Sequence, residues 1–366
     1  MKKAYVVYGN HGRSPVQLED YHAYLTQFIR RQGYEVLFSE DPMPGQLNVL
    51  IEFFDAEFVR KIRKASGHSG GRFIVIATEF ITGETFNEFG HDPEKFRIES
   101  SRFSCLARSI GGFIAPRIFP AFARRLALRA FPDAYVRIRA EYRRRFRTAI
   151  ESTYSQDEYW LERYRNFCRA VPFCEQIWCV SPHQIGAYRD RFRDSKIRLM
   201  PLASWNIECS NLLQGQICKD IDFLFTGSIT PYRDSVLREL KSRGFTVVEG
   251  PPTWPAYLRD HYIARSKICL QIRQSPAWKY PSIMRYHHLL SSGALVVADK
   301  GVETCMQEAF LVTAAAEDFV ETCVRTIQQP DFMKSGLENS RRYFFESADA
   351  RKSLECLLLP PEHPEH

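Results

Sequence analysis

The sequence predicts an α/β protein of two domains. Each is a parallel sheet with helices on both faces, and the first carries a helical insertion. Three observations predict it. Short apolar runs alternate with amphipathic stretches from residue 3 to 80, and again from 156 to 200. The same alternation restarts at Asp222 and continues to about residue 328. Between them, Pro201 to Gly215 has neither periodicity and reads as a linker. Strands separated by helices pair in parallel, because the helix carries the chain back to the same end of the sheet. A length of 366 residues fits two domains of about 150 residues each.

Lys3 to Tyr8 is an apolar run closed by Gly9, a buried-strand pattern. Asn10 to Arg13 is a turn, and Ser14-Pro15 opens a helix with a capping hydroxyl and a proline at its first position. Leu18, Tyr21, Leu25, Phe28 and Ile29 repeat at helical spacing until Gly33 ends the helix. Strands follow at Tyr34 to Phe38, Leu47 to Phe53 and Arg72 to Ala77, with a helix over Ala56 to Ala65. Residues 80 to 150 break the rhythm with Gly83, Gly90, Pro93, Gly111, Gly112, Pro116, Pro120 and Pro132. They read as an insertion with helices near 121–130 and 134–150. The rhythm returns with a helix from Gln156 to Ala170, a strand from Gln176 to Val180, a helix from Pro182 to Phe192 and a strand from Ile197 to Met200.

In the second half, strand Asp222 to Thr226 runs into Gly227-Ser228. Helix Asp234 to Arg243, strand Phe245 to Val248, helix Trp254 to Ala264 and strand Lys267 to Ile272 follow. Then come helix Ser282 to Ser292, strand Ala294 to Ala298, a helix near 316–328 and a last helix near 335–357. The halves read as two Rossmann-like domains facing each other, 1–210 and 216–335, with residues 335–366 as a terminal helix and tail.

Hydrophobic residues at 45% and charged residues at 25% fit a soluble globular chain. No apolar run approaches the ~18 to 20 residues of a membrane span. The first residues lack a long apolar core and a small-residue cleavage site, so they read as a strand and not a signal peptide. Ten cysteines contain no Cys-x-x-Cys pair. Cys168, Cys174 and Cys179 come closest, without His or Cys partners at zinc-site spacing. The thiols read as reduced, in a cytoplasmic protein. The net charge of +7 is uneven. Between Arg102 and Arg147 stand twelve arginines, no lysine, and only Asp133 and Glu141 as acids. Basicity that local points to a working surface or an internal ion-pair network.

Ligands of open α/β sheets bind beyond the C-terminal ends of the strands. In the second half those ends carry Gly227-Ser228, Gly250, the loop Arg273 to Pro281, and Asp299-Lys300-Gly301. Gly227 and Ser228 allow close backbone approach to a phosphate, and Arg233 starts the next helix. The 273–281 loop offers Arg273, Lys279, Trp278 and Tyr280, either aromatic being a platform for a base. Ser282 caps a helix with Arg285 in its first turn. Cations converging on helix N-termini suit a nucleotide diphosphate, as ligand and as leaving group. Isolated, each of these residues is equally a solvated cation or a core aromatic.

The stretches Asp222 to Ser228, Arg273 to Trp278 and Ser282 to Asp299 resemble the donor domain of GT-B glycosyltransferases. They are most similar to the spore-maturation-type branch of the bacterial group 1 enzymes. There a strand ends in Gly-Ser, and an Arg-x-x-Glu-x-x-x-x-Gly helix precedes an apolar strand. The resemblance covers about residues 160 to 350 and is most specific from 222 to 299. It implies a nucleotide-sugar donor between two Rossmann-like domains, with Gly227, Ser228, Arg233 and Arg285 facing the diphosphate. It also implies a C-terminal helix crossing back to the first domain, and no metal or other cofactor. Where the family has the Glu that holds the donor ribose, this chain has His288, a single-point partner for a hydroxyl.

In the first half, Glu79 follows the fourth strand and faces the cleft as a candidate general base on an acceptor hydroxyl. His11 competes for that role. Either a helix cap or an ion pair with an arginine is the plain alternative for Glu79. The apolar run Ile110 to Phe122 is framed by arginines, Arg117, Arg124, Arg125, Arg143 and Arg144 among them. This suits contact with an anionic membrane or a lipid-linked glycan acceptor, peripheral to the inner membrane face. A salt-bridged, solvated insertion is the plain alternative. No nucleic-acid motif accompanies the charge, so no nucleic-acid partner is expected. The expected function is sugar transfer from a nucleotide-sugar to a hydroxyl. The alternatives are a nucleotide-sugar epimerase, or a non-catalytic GT-B-like module that binds membrane or nucleic acid through the arginines.

Overall fold

The computed structural model describes residues 2–9, 19–68, 71–87, 157–205, 218–252, 254–329, 331–355 and 357. The chain divides into two compact units, residues 1–88 with 161–366, and residues 89–160. The stretch read as an insertion, 80–150, is divided between them: residues 80–88 fall in the first unit and 89–150 in the second. The arginines Arg117, Arg124, Arg125, Arg143 and Arg144 lie outside the described residues, as do His11 and the Ser14-Pro15 helix start.

The first unit contains two parallel sheets. The N-terminal one is built from β1 (Lys2–Val7), β2 (Tyr34–Ser39), β3 (Leu47–Ile51), β4 (Arg72–Ala77), β7 (Gln176–Cys179) and β8 (Lys196–Leu199), in the order β2-β1-β3-β4-β7-β8. Every neighbouring pair is parallel, with Ala4 opposite Leu47 and Ile74 opposite Gln176. Helices α1 (Glu19–Arg31), α2 (Ala56–Ser66), α3 (Asp157–Ala170) and α4 (Pro182–Arg191) connect these strands. The central strands are buried along almost their whole length, which is why they read as continuous apolar runs. After β4 a small antiparallel hairpin, β5 (Ile81–Thr82) with β6 (Thr85–Phe86), leads out of the sheet. The sequence reading had no hairpin there.

The C-terminal sheet has the order β10-β9-β11-β12-β13, all parallel. Its strands are β9 (Ile221–Thr226), β10 (Val247–Gly250), β11 (Ser266–Gln271), β12 (Val296–Asp299) and β13 (Val312–Ala314). Helices α5 (Pro231–Ser242), α6 (Ala256–Arg265), α7 (Ile283–Ser291) and α8 (Phe319–Ile327) flank it. Residues expected as one last helix form two, α9 (Phe332–Glu346) and α10 (Ala348–Glu355).

Among the described residues, the largest buried apolar clusters follow the two sheets. Phe223, Phe225, Leu237, Leu270, Val297 and Phe319 centre the C-terminal one. The N-terminal core gathers Val6, Leu25, Phe28, Val49, Ile76 and Trp178, and also takes in Ile283 and Met284 of α7 and Leu354 and Leu357 at the chain's end. Arg351 of α10 fixes that return, donating to the carbonyls of Ser204 at 2.9 Å and Phe344 at 2.5 Å.

Among the described residues, side chains cross between the sheets at several points. Arg259 of α6 grips Asp20 of α1 through both guanidinium nitrogens, at 2.7 and 2.9 Å. Phe80, after β4, stacks on Tyr280 with centroids 3.6 Å apart and planes at 5°. Tyr343 of α9 donates to the Leu202 carbonyl at 3.0 Å and lies 2.8 Å from His287 Nδ1 in α7.

Candidate active site

A cavity of about 180 Å³ lies where the C-terminal strand ends of the two sheets approach each other. From the first sheet it is lined by Tyr21 of α1, by Thr78, Glu79 and Phe80 after β4, and by Val180 and Ser181 after β7. From the second it is lined by Arg233, Gln271, Arg273, Trp278, Tyr280, and the start of α7 from Ser282 to Tyr286. Parallel strands place their ends together, so residues as far apart in sequence as Tyr21 and Tyr286 meet there.

The donor-side residues divide into two kinds. Arg233 is buried and spends its guanidinium on backbone. Nε donates to the carbonyls of Ile272 (2.9 Å) and Arg273 (3.1 Å), and Nη1 to that of Ser228 (2.8 Å). Burial first, then the charge of Arg285, pushes its pKa far down. Arg273 likewise braces its own loop. It donates to the Pro276 and Trp278 carbonyls, both at 2.9 Å, and pairs at 2.7 Å with Asp299, whose side chain is fully buried. Tyr232 donates to the other Asp299 oxygen at 2.8 Å. Lys279 stands exposed outside the cavity wall.

Arg285 belongs to the second kind. It is half-buried, lines the cavity, and lies across Gly227. Gly227 has φ +145°, and a Cβ on it would stand 2.9 Å from Arg285 Nη1. A glycine there lets the guanidinium approach the strand end. Gly227 and Ser228 are not themselves in the cavity wall. Ser282 occupies the cap position of α7 but makes no side-chain cap bond, so its hydroxyl stands exposed at the cavity. The first-turn N–H groups of a helix have no partners within it.

His288 is not in the cavity wall. It lies on the side of α7 that meets α1 and α6, with Nδ1 3.7 Å from Asp20 and Nε2 3.2 Å from Asp260. Burial lowers its pKa, but the two carboxylates outweigh that and raise it above the ordinary histidine value. Its neighbour His287 is buried toward Tyr343, and burial takes its pKa down to about 3. Tyr280 has Phe80 stacked on one face and Trp278 edge-on at 6.1 Å between centroids.

On the acceptor side Glu79 lines the cavity with 21% of its side chain exposed. Arg163 Nη2 lies 3.0 Å from its Oε1, and Asn87 Nδ2 donates to its Oε2. Its carbonyl accepts from Gln184 (2.8 Å) and Tyr188 (2.9 Å). Sequence reasoning passed over Tyr21, Glu52, Asn87, Arg163 and Gln271. Two of these left a trace. Glu52 interrupts an apolar strand run, and Arg163 shares a helix face with Trp160, Tyr164 and Phe167 at three-to-four spacing. A charge on an apolar face implies a buried partner.

No protein-family model matches the sequence, and no curated protein matches it. The solved structures it resembles are GT-B glycosyltransferases. One is an α-glucosyltransferase in complex with UDP and a 13-mer DNA containing a HMU base. It is 7% identical over 96% of this chain and 99% of that one, with a TM-score of 0.47. The T4 phage β-glucosyltransferase with UDP and Mn²⁺ is 11% identical over 97% of both chains, with a TM-score of 0.47. An E. coli trehalose-6-phosphate protein bound with UDP-2-fluoro glucose is 9% identical over 92% and 77%, with a TM-score of 0.46. The T4 phage protein is in complex with Mn²⁺ as well as UDP, which overturns the expectation, drawn from the resemblance, that the GT-B arrangement implies no metal. Among the described residues no group of three or more His, Cys, Asp or Glu is placed to hold a metal ion. A cation at this cavity would have to take most of its ligands from phosphate and water. These likenesses are remote, and the fold stands on the chain's own strand orders: two parallel Rossmann-like sheets with a cavity between their strand ends, the GT-B arrangement.

Proposed function

We propose that this protein transfers a sugar from a nucleotide-sugar donor to a hydroxyl acceptor. The observation that carries the reading is Arg285. It lies against Gly227 at the end of β9, in the first turn of α7, and opens into the same cavity as Glu79. A guanidinium joined to a helix N-terminus fits a diphosphate and stabilises it as negative charge develops on departure. Arg233 and Arg273 frame this spot through backbone contacts, holding the 273–281 loop so that Trp278 flanks the cavity. Glu79, across the cavity, takes the acceptor proton as the hydroxyl oxygen displaces the diphosphate from the sugar.

The acceptor class we infer is one presented at an anionic surface, supported by the twelve arginines between Arg102 and Arg147. Among the described residues no helix is long and apolar enough to cross a membrane.

A panel of nucleoside diphosphates in a thermal-shift assay tests the donor side. At a hundredfold excess over Kd the matching nucleotide stabilises by about 2.7 kcal/mol. Arg285→Ala should abolish that shift and lower donor turnover by about a hundredfold or more. Absence of any shift across all bases would sink the reading.

A further inference from the structure

Glu79 does not stand alone at the cavity wall. Directly after β3, Glu52 is buried with 1% of its side chain exposed. Its Oε2 accepts from the Thr78 N–H at 2.5 Å, the Thr78 hydroxyl at 2.6 Å and the Glu79 N–H at 2.9 Å. Its Oε1 accepts from Arg163 Nη2, and its main-chain carbonyl accepts from the same nitrogen at 2.9 Å. That nitrogen also lies 3.0 Å from Glu79 Oε1. One guanidinium nitrogen therefore serves two carboxylates. The N–H groups of Thr78, Glu79 and Arg163 can only donate to the Glu52 carboxyl, which favours its ionised form, while the Thr78 hydroxyl can serve either form.

The other Glu79 oxygen is held by Asn87. The hairpin keeps Asn87 at φ +47°, with its N–H on the Phe80 carbonyl (2.8 Å) and its Oδ1 on the Phe80 N–H (3.0 Å). Two acids and one base at a single buried point are poorly explained by stability. Apolar residues of similar volume would avoid the desolvation penalty.

We propose that Glu52 and Arg163 are positioning residues for Glu79, fixing its carboxylate at the cavity wall by sharing one cation between two acids. This rests on the transfer reading above, in which Glu79 is the base. Among the described residues, Tyr21 from α1 and Tyr188 from α4 also face the cluster, with Arg285 of α7 beyond Tyr21. Both phenols are pushed up, by burial first and by the acids second, so they stay neutral and do not compete for the charge. Burial and the Glu79 charge also push Glu52 up, against the pull of Arg163 and Thr78.

The test is a carboxyl titration of the full chain labelled with ¹³C at glutamate, the Glu79 resonance being assigned by its loss in Glu79→Gln. In Glu52→Gln the Glu79 titration should move to lower pH, because Arg163 is left to Glu79 alone. In Arg163→Met it should move to higher pH by about one to three pH units, because two acids then face each other without a cation. No movement, or movement in the same direction, overturns the proposal. If Glu52→Gln does not fold, Arg163→Lys decides. It should return the titration part of the way from the Met variant toward wild type, and a Lys variant identical to Met overturns the proposal.

Rates separate this idea from the transfer reading. Where wild type turns over a nucleotide-sugar, Glu52→Gln should lower kcat at unchanged donor KM and add no loss to Glu79→Gln in the double variant. An additive loss overturns the positioning role. Where wild type turns over none, the transfer reading fails and the titration still decides the inference.

Discussion

Gly227→Ala is the sharpest perturbation of the donor side, because two separate costs can be worked out for it. The first is in the backbone. Gly227 has φ +145°, a conformation that residues with a Cβ rarely adopt, and such strain costs on the order of 1–3 kcal/mol. Its N–H also donates to the Gly250 carbonyl at 2.8 Å, which ties β9 to β10 and resists rotation out of that conformation. The second cost falls on Arg285. The new methyl would stand 2.9 Å from Nη1, 3.2 Å from Nη2 and 3.4 Å from Cζ, inside the ~3.5–4.0 Å of ordinary contact. The guanidinium is the flexible partner, so it retreats by about half an ångström to an ångström from the cavity position. A lost charge-assisted hydrogen bond to phosphate is worth about 1.5–3 kcal/mol, roughly ten- to a hundredfold in nucleotide Kd. Urea unfolding should show a lower midpoint at unchanged slope, and nucleotide titration a weaker Kd. In an Arg285→Ala background the stability cost should persist, but the Kd should rise no further. If Gly227→Ala loses stability yet binds nucleotide like wild type, Arg285 does not serve the phosphate from its place on Gly227.

Two further outcomes follow from the ties between the sheets. Arg259→Ala should destabilise by about 3 kcal/mol in urea, since Arg259 and Asp20 are only 11% and 15% exposed and the change takes away the two-nitrogen partner of a largely buried carboxylate. The adjacent histidines should tilt the stability–pH curve in opposite senses. His287 has a depressed folded pKa, so the unfolded chain binds its proton first. That costs about 1.4 kcal/mol per pH unit as pH falls below about 6.5, toward about 3, and His287→Leu should flatten this slope. His288 has a raised folded pKa, so its contribution is fully present below about pH 6.5 and is lost as pH rises through the folded value. In His288→Gln that loss on the alkaline side should disappear.

The strands were legible because their burial is nearly complete. Arg72–Ala77, Gln176–Cys179 and Ile221–Thr226 fall within a residue or so of their apolar runs. What escaped was made by tertiary contact. The strand Val312–Ala314 has three residues, too few for a period, and exists through its pairing with Val297 to Asp299. The break between the last two helices has no glycine or proline to announce it. It falls at Ser347, fully buried, whose hydroxyl donates to the Phe344 carbonyl while Arg351 binds both that carbonyl and the same hydroxyl. The hairpin after β4 depends on Asn87 accepting a left-handed φ, which composition alone does not reveal.

The site was half legible for a reason of charge. A sequence shows that Arg233, Arg273 and Arg285 converge on strand ends, but not what each guanidinium spends its donors on. Arg273 pairs with a fully buried Asp299 and two carbonyls of its own loop, so removing it would collapse the cavity wall before it changed the cavity's potential. Arg233 is committed to three carbonyls in the same way. Arg285 differs in place: it is half-buried against Gly227, with Nη1 donating to the Thr226 carbonyl at 3.4 Å, and it lines the cavity. The same distinction separates His288 from the ribose-holding role expected of its position. Its partners are Asp20 and Asp260, and the former is also the carboxylate that Arg259 grips between the sheets. A substitution at His288 should therefore alter how the two sheets are held together before it alters nucleotide preference. Nucleotide preference should instead respond to Gln271 and Trp278, which line the cavity itself.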